Sequence, residues 1–159
     1  MDAAHLPRSP LVNDATARAV LAQVVDPEIP VLTIEDMGIL RSVSVDGTSV
    51  AVEITPTYSG CPAIDLIEEQ VRLALAAAGY TRITVDRVYA PAWTTDWMSD
   101  AGKAKLAAVG IAPPGTEPPL CPRCASAQTR TISEFGSTAC KALMVCSSCG
   151  EPFDRFKDI

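Results

Sequence analysis

Four of the six cysteines lie in two short turns that are typical of a metal site. The segments CPRC and CSSC each place two thiols on one side of a turn, where backbone amides can face the sulfurs. The thiols are those of Cys121, Cys124, Cys146 and Cys149, and 21 residues separate the two pairs. The pattern predicts a closed structural site for zinc, or for iron as in rubredoxin-like proteins; the alternative is a pair of disulfides or free thiols.

Cys140 is left over from this four-ligand set. It lies in the segment EFGSTACKAL, on a predicted hairpin arm. One interpretation is a small buried hydrophobic residue that packs on the arm. The other is an exposed, functional thiol, because the charge of the neighbouring Lys141 would favour its thiolate form.

Cys61 stands apart from the other cysteines, in TPTYSGCPAID, just before a predicted helix. The unpaired amides at a helix start favour an anion, so we expect a lowered thiol pKa; the alternative is a half-buried cysteine at a turn. A nucleophile needs a base, and the one histidine, His5, lies in the N-terminal segment. Asp26, Glu28 and Asp65 are candidate bases, and they are equally suited to bind iron.

The charge distribution argues against nucleic-acid binding. The net charge is −6, with 8 Lys/Arg against 15 Asp/Glu before Leu120 and 5 against 4 from Leu120 onward. Neither part has the basic excess that phosphate binding requires. The N-terminus has no apolar run and no stretch approaches about 18 apolar residues, so we expect no signal peptide and no membrane contact. We therefore expect a cytoplasmic protein with reduced cysteines.

The periodicity of apolar residues predicts six elements in the first two thirds of the chain. A helical pattern covers 12–25, and Asp46-Gly47 is typical of a turn between two strands, of which the second ends at Thr55-Pro56. A second helix is predicted over 62–78, a third strand over 82–90 and a third helix over 99–110. The fold class is therefore α+β, with a small α-β-β-α-β-α domain followed by a four-cysteine ribbon.

Composition also predicts the domain boundaries. We expect a flexible tail over 1–11, the α+β domain over 12–110, a proline-rich linker over 111–120 and the ribbon over 121–159. The ribbon has too few apolar residues for a core of its own, so its metal must hold it together. Trp93 and Trp97 lie near the end of the first domain, where they would form either a hydrophobic lid or a docking patch.

Three motifs carry a resemblance to a known family. The segments DPEIPVLTIEDMGIL, TPTYSGCPAID and GIAPP with its two preceding tryptophans resemble the SufT-like iron–sulfur assembly domain family. With the ribbon added, the order resembles the accessory proteins of phenylacetyl-CoA epoxidase, a multicomponent monooxygenase, from about Val12 to Lys157. In that family the Asp-Pro-Glu loop and the cysteine before the helix are regarded as functional, which maps here to Asp26, Glu28 and Cys61.

The resemblance implies a maturation factor and not an enzyme. Transient iron or an iron–sulfur cluster would be held by Cys61, Asp26 and Glu28, with Cys140 as a further thiol beside them. The implied partners are the oxygenase or reductase subunits of the epoxidase and the iron–sulfur assembly machinery, and family members tend to form homodimers. The alternative is a docking subunit of the epoxidase without iron chemistry.

Overall fold

The computed structural model describes residues 13–159, so the predicted tail 1–11 and the predicted helix start at Val12 lie outside the described residues. The first part of the chain has the predicted α-β-β-α-β-α order. Its elements are α1 Asp14–Leu21, β1 Leu40–Asp46, β2 Ser49–Ile54, α2 Ala63–Ala77, β3 Arg82–Arg87 and α3 Asp100–Ala108. The predicted α+β fold class is confirmed.

A three-stranded sheet in the order β1-β2-β3 forms the frame of this domain. The predicted hairpin is present, and Gly47 is the first residue of its two-residue turn, with a φ of 59°. β2 then pairs in parallel with β3, which requires the crossover that α2 provides. The apolar face of α2 packs on the sheet through Ile64, Ile67, Val71 and Leu75, all of which are buried. The loop that enters α2 carries Cys61.

The first helix is shorter than the predicted span 12–25, because the chain leaves α1 after Leu21 to form a narrow loop. Val25 pairs with Thr33 in an antiparallel bridge, and the Asp26 amide donates to the Leu32 carbonyl at 2.8 Å. Backbone hydrogen bonds between the two sides of the loop replace those that a longer helix would have made. The loop holds Asp26 and Glu28 in a fixed turn.

Trp93 and Trp97 occupy different environments. Trp93 is 4% exposed, and its indole nitrogen donates to the Met37 carbonyl at 2.8 Å. Trp97 is half-buried beneath the guanidinium of Arg41, which lies 3.7 Å from the ring centroid. The hydrophobic-lid interpretation is therefore correct for Trp93, which is not available to a docking partner.

Asp36 ties the loop before β1 to α3. Its carboxylate accepts hydrogen bonds from the Thr33 amide at 3.1 Å, the Ser99 hydroxyl at 3.0 Å and the Lys105 ammonium at 2.5 Å. Burial alone would raise the pKa of this carboxyl, but these hydrogen bonds outweigh it and lower the pKa below its usual 3.8. The charged form of Asp36 therefore stabilises the fold.

We expect Asp36→Asn to lower the free energy of unfolding by about 1.5–3 kcal/mol at pH 7, because charged hydrogen bonds are lost. A carboxyl with a depressed folded pKa stabilises the protein above its unfolded pKa, and that stabilisation is lost as the pH falls through the folded value. The unfolding free energies of the two proteins, measured by urea titration, should therefore converge as the pH falls below about 3.8. Asp96→Asn, at an exposed position, is the control; parallel pH curves for wild type and Asp36→Asn would contradict the prediction.

The ribbon is a four-stranded sheet in the order β4-β7-β6-β5. Its strands are β4 Ile111–Ala112, β5 Thr129–Ser133, β6 Lys141–Cys146 and β7 Pro152–Phe156. The predicted hairpin arms are β5 and β6, while β7 had no sequence signal of its own. β4 pairs in parallel with β7, so the first two residues of the predicted linker lie in the ribbon's sheet.

The ribbon shares its core with the α+β domain. Phe156, at 0% exposure, and Cys140 belong to the main core cluster, and the rings of Trp93 and Phe156 lie 6.2 Å apart. The Thr95 amide also donates to the Ile159 carbonyl at 3.1 Å. A second, small cluster within the ribbon consists of Ala112, Cys121, Met144, Cys146 and Phe153. Among the described residues, no helix has the length and apolarity that a membrane crossing requires.

Candidate metal sites

The four cysteines of the two turns form one compact group. Their sulfurs all lie within 4.8 Å of one another; Cys121 and Cys149 are 3.7 Å apart, and Cys124 and Cys146 are 3.6 Å apart. A tetrahedral metal with bonds of about 2.3 Å to sulfur requires sulfurs separated by roughly 3.8 Å. A disulfide requires about 2.05 Å, so the disulfide alternative does not fit. The four thiols have the arrangement of a metal site.

Local backbone structure builds this arrangement. The Ala125 amide donates to the Cys121 carbonyl at 2.8 Å, and the Gly150 amide donates to the Cys146 carbonyl at 2.9 Å. Ala125 and Gly150 have φ angles of 58° and 79°, which let each turn close directly after its cysteine pair. With four thiols already present, a tetrahedral metal has no coordination position left for an incoming ligand. The group is suited to a structural role.

A second set of candidate ligands lies towards the other end of β6, although within residues 13–159 only the four ribbon cysteines are close enough together to hold a metal ion. Cys146 closes this strand and Cys140 precedes its first residue, so the two groups are about 20 Å apart along it. Cys140 enters the main core, against which Cys61 also packs. The ribbon thus places Cys140 in the core of the domain that carries Cys61.

Tyr58 is affected by charges from three segments of the chain. Burial raises the pKa of its phenol, and the charges of Cys61, Glu28 and Cys140 raise it further. The three groups come from the loop before α2, the loop after α1 and the loop before β6. Sequence motifs point to these three residues but not to their joint effect on Tyr58. That effect depends on packing between the ribbon and the α+β domain.

Asp26 and Glu28 play different parts in the acidic loop. Asp26 is buried, and its Oδ1 accepts hydrogen bonds from the amides of Glu28 at 2.7 Å and Ile29 at 2.9 Å. It therefore fixes the turn that carries Glu28. Burial raises the pKa of the Glu28 carboxyl, the charge of Asp26 raises it further, and Lys141 partly opposes them. Glu28 is the freer ligand of the two.

The expected lowering of the Cys61 pKa is wrong. Burial raises the pKa of this half-buried thiol, and the negative charges of Glu28 and Asp26 also raise it. Hydrogen bonds from the Ala63 amide and the Thr57 side chain favour the thiolate at the helix start, but they do not outweigh burial. The isolated thiol is thus protonated at neutral pH, and a metal that binds there must displace a proton.

Cys140 is buried at 6% exposure, which confirms the interpretation of a small buried residue over the alternative of an exposed thiol. Its sulfur lies 3.0 Å from the Thr138 hydroxyl, and its carbonyl accepts from the Lys157 amide at 2.9 Å. Burial raises the pKa of this thiol; Lys141 lowers it, as expected from the sequence, but only in part. Asp65 pairs with Arg87 at 2.6 Å, and its side chain is exposed.

Comparisons with known proteins match both parts of the chain. A family profile described as iron–sulfur cluster assembly protein covers residues 14–86, and one described as PaaD zinc beta ribbon domain covers residues 113–157. A protein of Escherichia coli (strain K12), whose provisional name makes it a component of 1,2-phenylacetyl-CoA epoxidase, is 50% identical over 149 residues, which cover 89% of this chain and 90% of that protein.

Two further relatives resemble the first part of the chain. An Fe-S protein maturation auxiliary factor of Porphyromonas gingivalis (strain ATCC BAA-308 / W83) is 36% identical over 55% of this chain and 84% of that protein. The crystal structure of a domain of unknown function, DUF59, from Bacillus anthracis superposes with a TM-score of 0.55 at 28% identity, over 58% of this chain and 90% of that one. Since the E. coli similarity spans both parts and both profiles match in order, this chain belongs to the PaaD family, in which an iron–sulfur cluster assembly domain precedes a zinc β ribbon.

Proposed function

We propose that this protein is a non-catalytic accessory factor that holds iron or an iron–sulfur cluster transiently and delivers it during maturation of phenylacetyl-CoA epoxidase, in phenylacetate catabolism. The observation that carries the proposal is that the charges of Cys61, Cys140 and Glu28, which come from three different loops, all act on Tyr58, away from the four-cysteine group. The names of the relatives, which mention the epoxidase and iron–sulfur maturation, support the same role.

The ribbon metal in this proposal is zinc. Four thiolates satisfy a tetrahedral zinc ion fully, and zinc has no redox chemistry of its own. Cys121, Cys124, Cys146 and Cys149 would hold it, and its contribution is to stabilise a ribbon whose own core is small.

In this proposal the second set of ligands comes together around the cargo to form a carrier site. Two thiols and one carboxylate leave coordination positions open, so that ligands from a donor or an acceptor can exchange there. Cys61, Cys140 and Glu28 would bind the cargo, while Asp26 would hold the loop and approach with its second oxygen. Because both thiols are protonated when free, loading would release protons and would be weaker at low pH.

The partners in this proposal are of two kinds. The oxygenase or reductase subunits of the epoxidase would receive the cargo, and the iron–sulfur assembly machinery would supply it. We place the exchange in the cytoplasm and propose a homodimer, as the family resemblance implies. The proposal assigns no catalytic step to the chain.

A docking component of the epoxidase complex is the second candidate function. The name of the E. coli relative, which counts it among the parts of the epoxidase, favours this role. Under it, the ribbon would fix the protein to the complex and the chain would take up one metal ion only. Metal stoichiometry therefore separates the two candidates.

We expect anaerobically reconstituted protein to hold iron in addition to one ribbon metal, and Cys61→Ser to hold the ribbon metal alone, because one of the two thiolate ligands is lost. Metal and sulfide analysis with a visible absorption spectrum measures both. Ser59→Ala, at an exposed position of the same loop, is the matched control and should keep the iron. Full iron retention by Cys61→Ser, or a single metal in the wild type, would refute the carrier role.

A further inference from the structure

β5 is the outermost strand of the ribbon sheet, and one of its edges is free. Its only neighbour in the sheet is β6. Within the described part of the chain, the backbone of residues 130–133 is hydrogen-bonded to no segment other than β6. A strand edge in this state has unpaired amide and carbonyl groups, so it can pair with a strand of another chain.

The edge strands of the other sheet differ from β5, because side chains bond to their backbones. Beside β3, the Arg72 guanidinium donates to the carbonyls of Ile83 at 3.1 Å and Val85 at 3.4 Å. Beside β1, the Asp14 carboxylate accepts a hydrogen bond from the Val45 amide at 2.9 Å. Apart from β4, which has only two residues, β5 is thus the one edge strand in residues 13–159 without such a bond.

A β-bulge gives this edge an exposed apolar residue. The pairing of β5 with β6 changes register between Thr131 and Ser133, so Ile132 is the one residue of β5 without a partner in β6. A bulge can protect an edge by bending it, and lysine or proline often adds to that protection. The segment 129–135 has neither, and its bulged isoleucine is 50% exposed. The composition of this edge therefore does not oppose the approach of another strand.

Two opposite charges flank Ile132 symmetrically. Arg130 and Glu134, two residues before and two residues after it, are both exposed. Among the described residues, neither of these side chains has an ion-pair partner. Four residues of a strand span about 13 Å, so the two charges are too far apart to pair with each other along one strand. An antiparallel copy of the same strand would supply the missing partner to each.

We infer that β5 pairs antiparallel with β5 of a second copy of this chain, about a two-fold axis at Ile132; this inference rests on the homodimer in the proposed function. The axis places Arg130 of each copy opposite Glu134 of the other, with the two Ile132 residues opposite each other. An axis one residue earlier or later would instead set Ile132 opposite a charged residue. Opposite charges directly across a strand pair stabilise it, so the charges select this register. Because a two-fold contact requires a self-complementary surface, this edge fits a second copy better than an unrelated strand.

The test measures the dissociation constant of the dimer by sedimentation equilibrium of the full chain with its ribbon metal bound. We expect a wild-type dimer that dissociates on dilution, since one short strand pair is a small interface. Arg130→Glu and Glu134→Arg should each raise the dissociation constant at least about tenfold, because the two-fold axis turns two attractive pairs into two repulsive ones. The double variant Arg130→Glu/Glu134→Arg should restore the wild-type value, since it only exchanges the charges. Arg18→Glu makes the same charge change at an exposed position of α1 and is the control.

Rescue by the double variant separates a direct contact from general damage to the ribbon, which a second substitution would not repair. A wild-type chain that stays monomeric from micromolar to millimolar concentration leaves the edge to a strand of another protein and overturns the inference. A dimer that both single variants leave unchanged overturns it as well. Circular dichroism identifies a misfolded single variant, in which case the other single variant and the double variant decide.

Iron content, measured on the same samples, decides the carrier function separately. A monomer that takes up iron beyond the ribbon metal refutes the strand pairing and leaves the carrier function standing. A dimer with the expected charge dependence that takes up no such iron refutes the carrier function and leaves the strand pairing standing.

Discussion

Removal of the ribbon metal, by chelation or by Cys146→Ser, is expected to unfold the ribbon and to expose Cys140. The ribbon's own core has five members, two of which are metal ligands, so little apolar packing remains without the metal. Structural zinc contributes about 10–16 kcal/mol to the folding of small zinc modules. Because Cys140 lies on the strand that ends at Cys146, loss of the metal at one end should release the thiol at the other. Alkylation of Cys140 with iodoacetamide, followed by mass spectrometry, measures this exposure.

Two comparisons make that result specific. Ser147→Ala changes an exposed residue inside the same turn and should leave both the metal and the protection of Cys140 intact. Added zinc should restore protection after chelation but not in Cys146→Ser, where a ligand is missing. If Cys140 stays protected while metal analysis shows an empty ribbon, packing on the α+β domain alone holds this region, and the prediction is wrong.

Phe156→Ala is expected to lower the free energy of unfolding by about 3–5 kcal/mol, the usual cost of deleting a fully buried phenylalanine. Phe156 is 0% exposed, packs against Trp93 and lies in the main core cluster although it belongs to the ribbon. Its loss leaves a cavity between the two parts of the molecule. Urea titration followed by tryptophan fluorescence is a suitable measurement, since Trp93 reports on that cavity directly.

Phe135→Ala is the matched control, because it deletes the same side chain at 68% exposure and should cost less than about 1 kcal/mol. The four-cysteine group is built by β5, β6 and the two turns, so Phe156→Ala should retain its ribbon metal. Equal losses of unfolding free energy in Phe156→Ala and Phe135→Ala would show that the shared core contributes little to stability. A lost ribbon metal in Phe156→Ala would show that the ribbon depends on the α+β domain.

The elements that the sequence predicted well are those specified by local patterns. The Asp46-Gly47 hairpin, the stripe of Ile64, Ile67 and Val71, and the Ser99 cap of α3 each depend on neighbours within a few residues. The four-cysteine group was predictable for the same reason, because its two turns are short and its geometry follows from ligand chemistry. Local signals were enough for the fold class and for the order of elements in the α+β domain.

Features that depend on packing between distant segments were not predictable. In the sequence, the apolar periodicity of a helix continues through Val24 and Val25. In the structure α1 ends earlier, because Val25 forms a β-bridge with Thr33. The position of Cys61 at a helix start led us to expect a lowered thiol pKa, yet burial raises that pKa. The sequence likewise could not show that β4 joins β7, or that the loop before β6 carries Cys140 to Tyr58.

The placement of Phe156 in the main core has a consequence for how the protein is made. A ribosome delivers the chain from its N-terminus, so the α+β domain emerges before β5, β6 and β7, and Phe156 follows all of the ribbon's cysteines. Until the ribbon has formed and docked, the surface of the α+β domain that it covers therefore stays exposed, and the domain has a single thiol, that of Cys61. On the proposed function, a nascent chain would have only half of its carrier site and would not capture iron before it is finished.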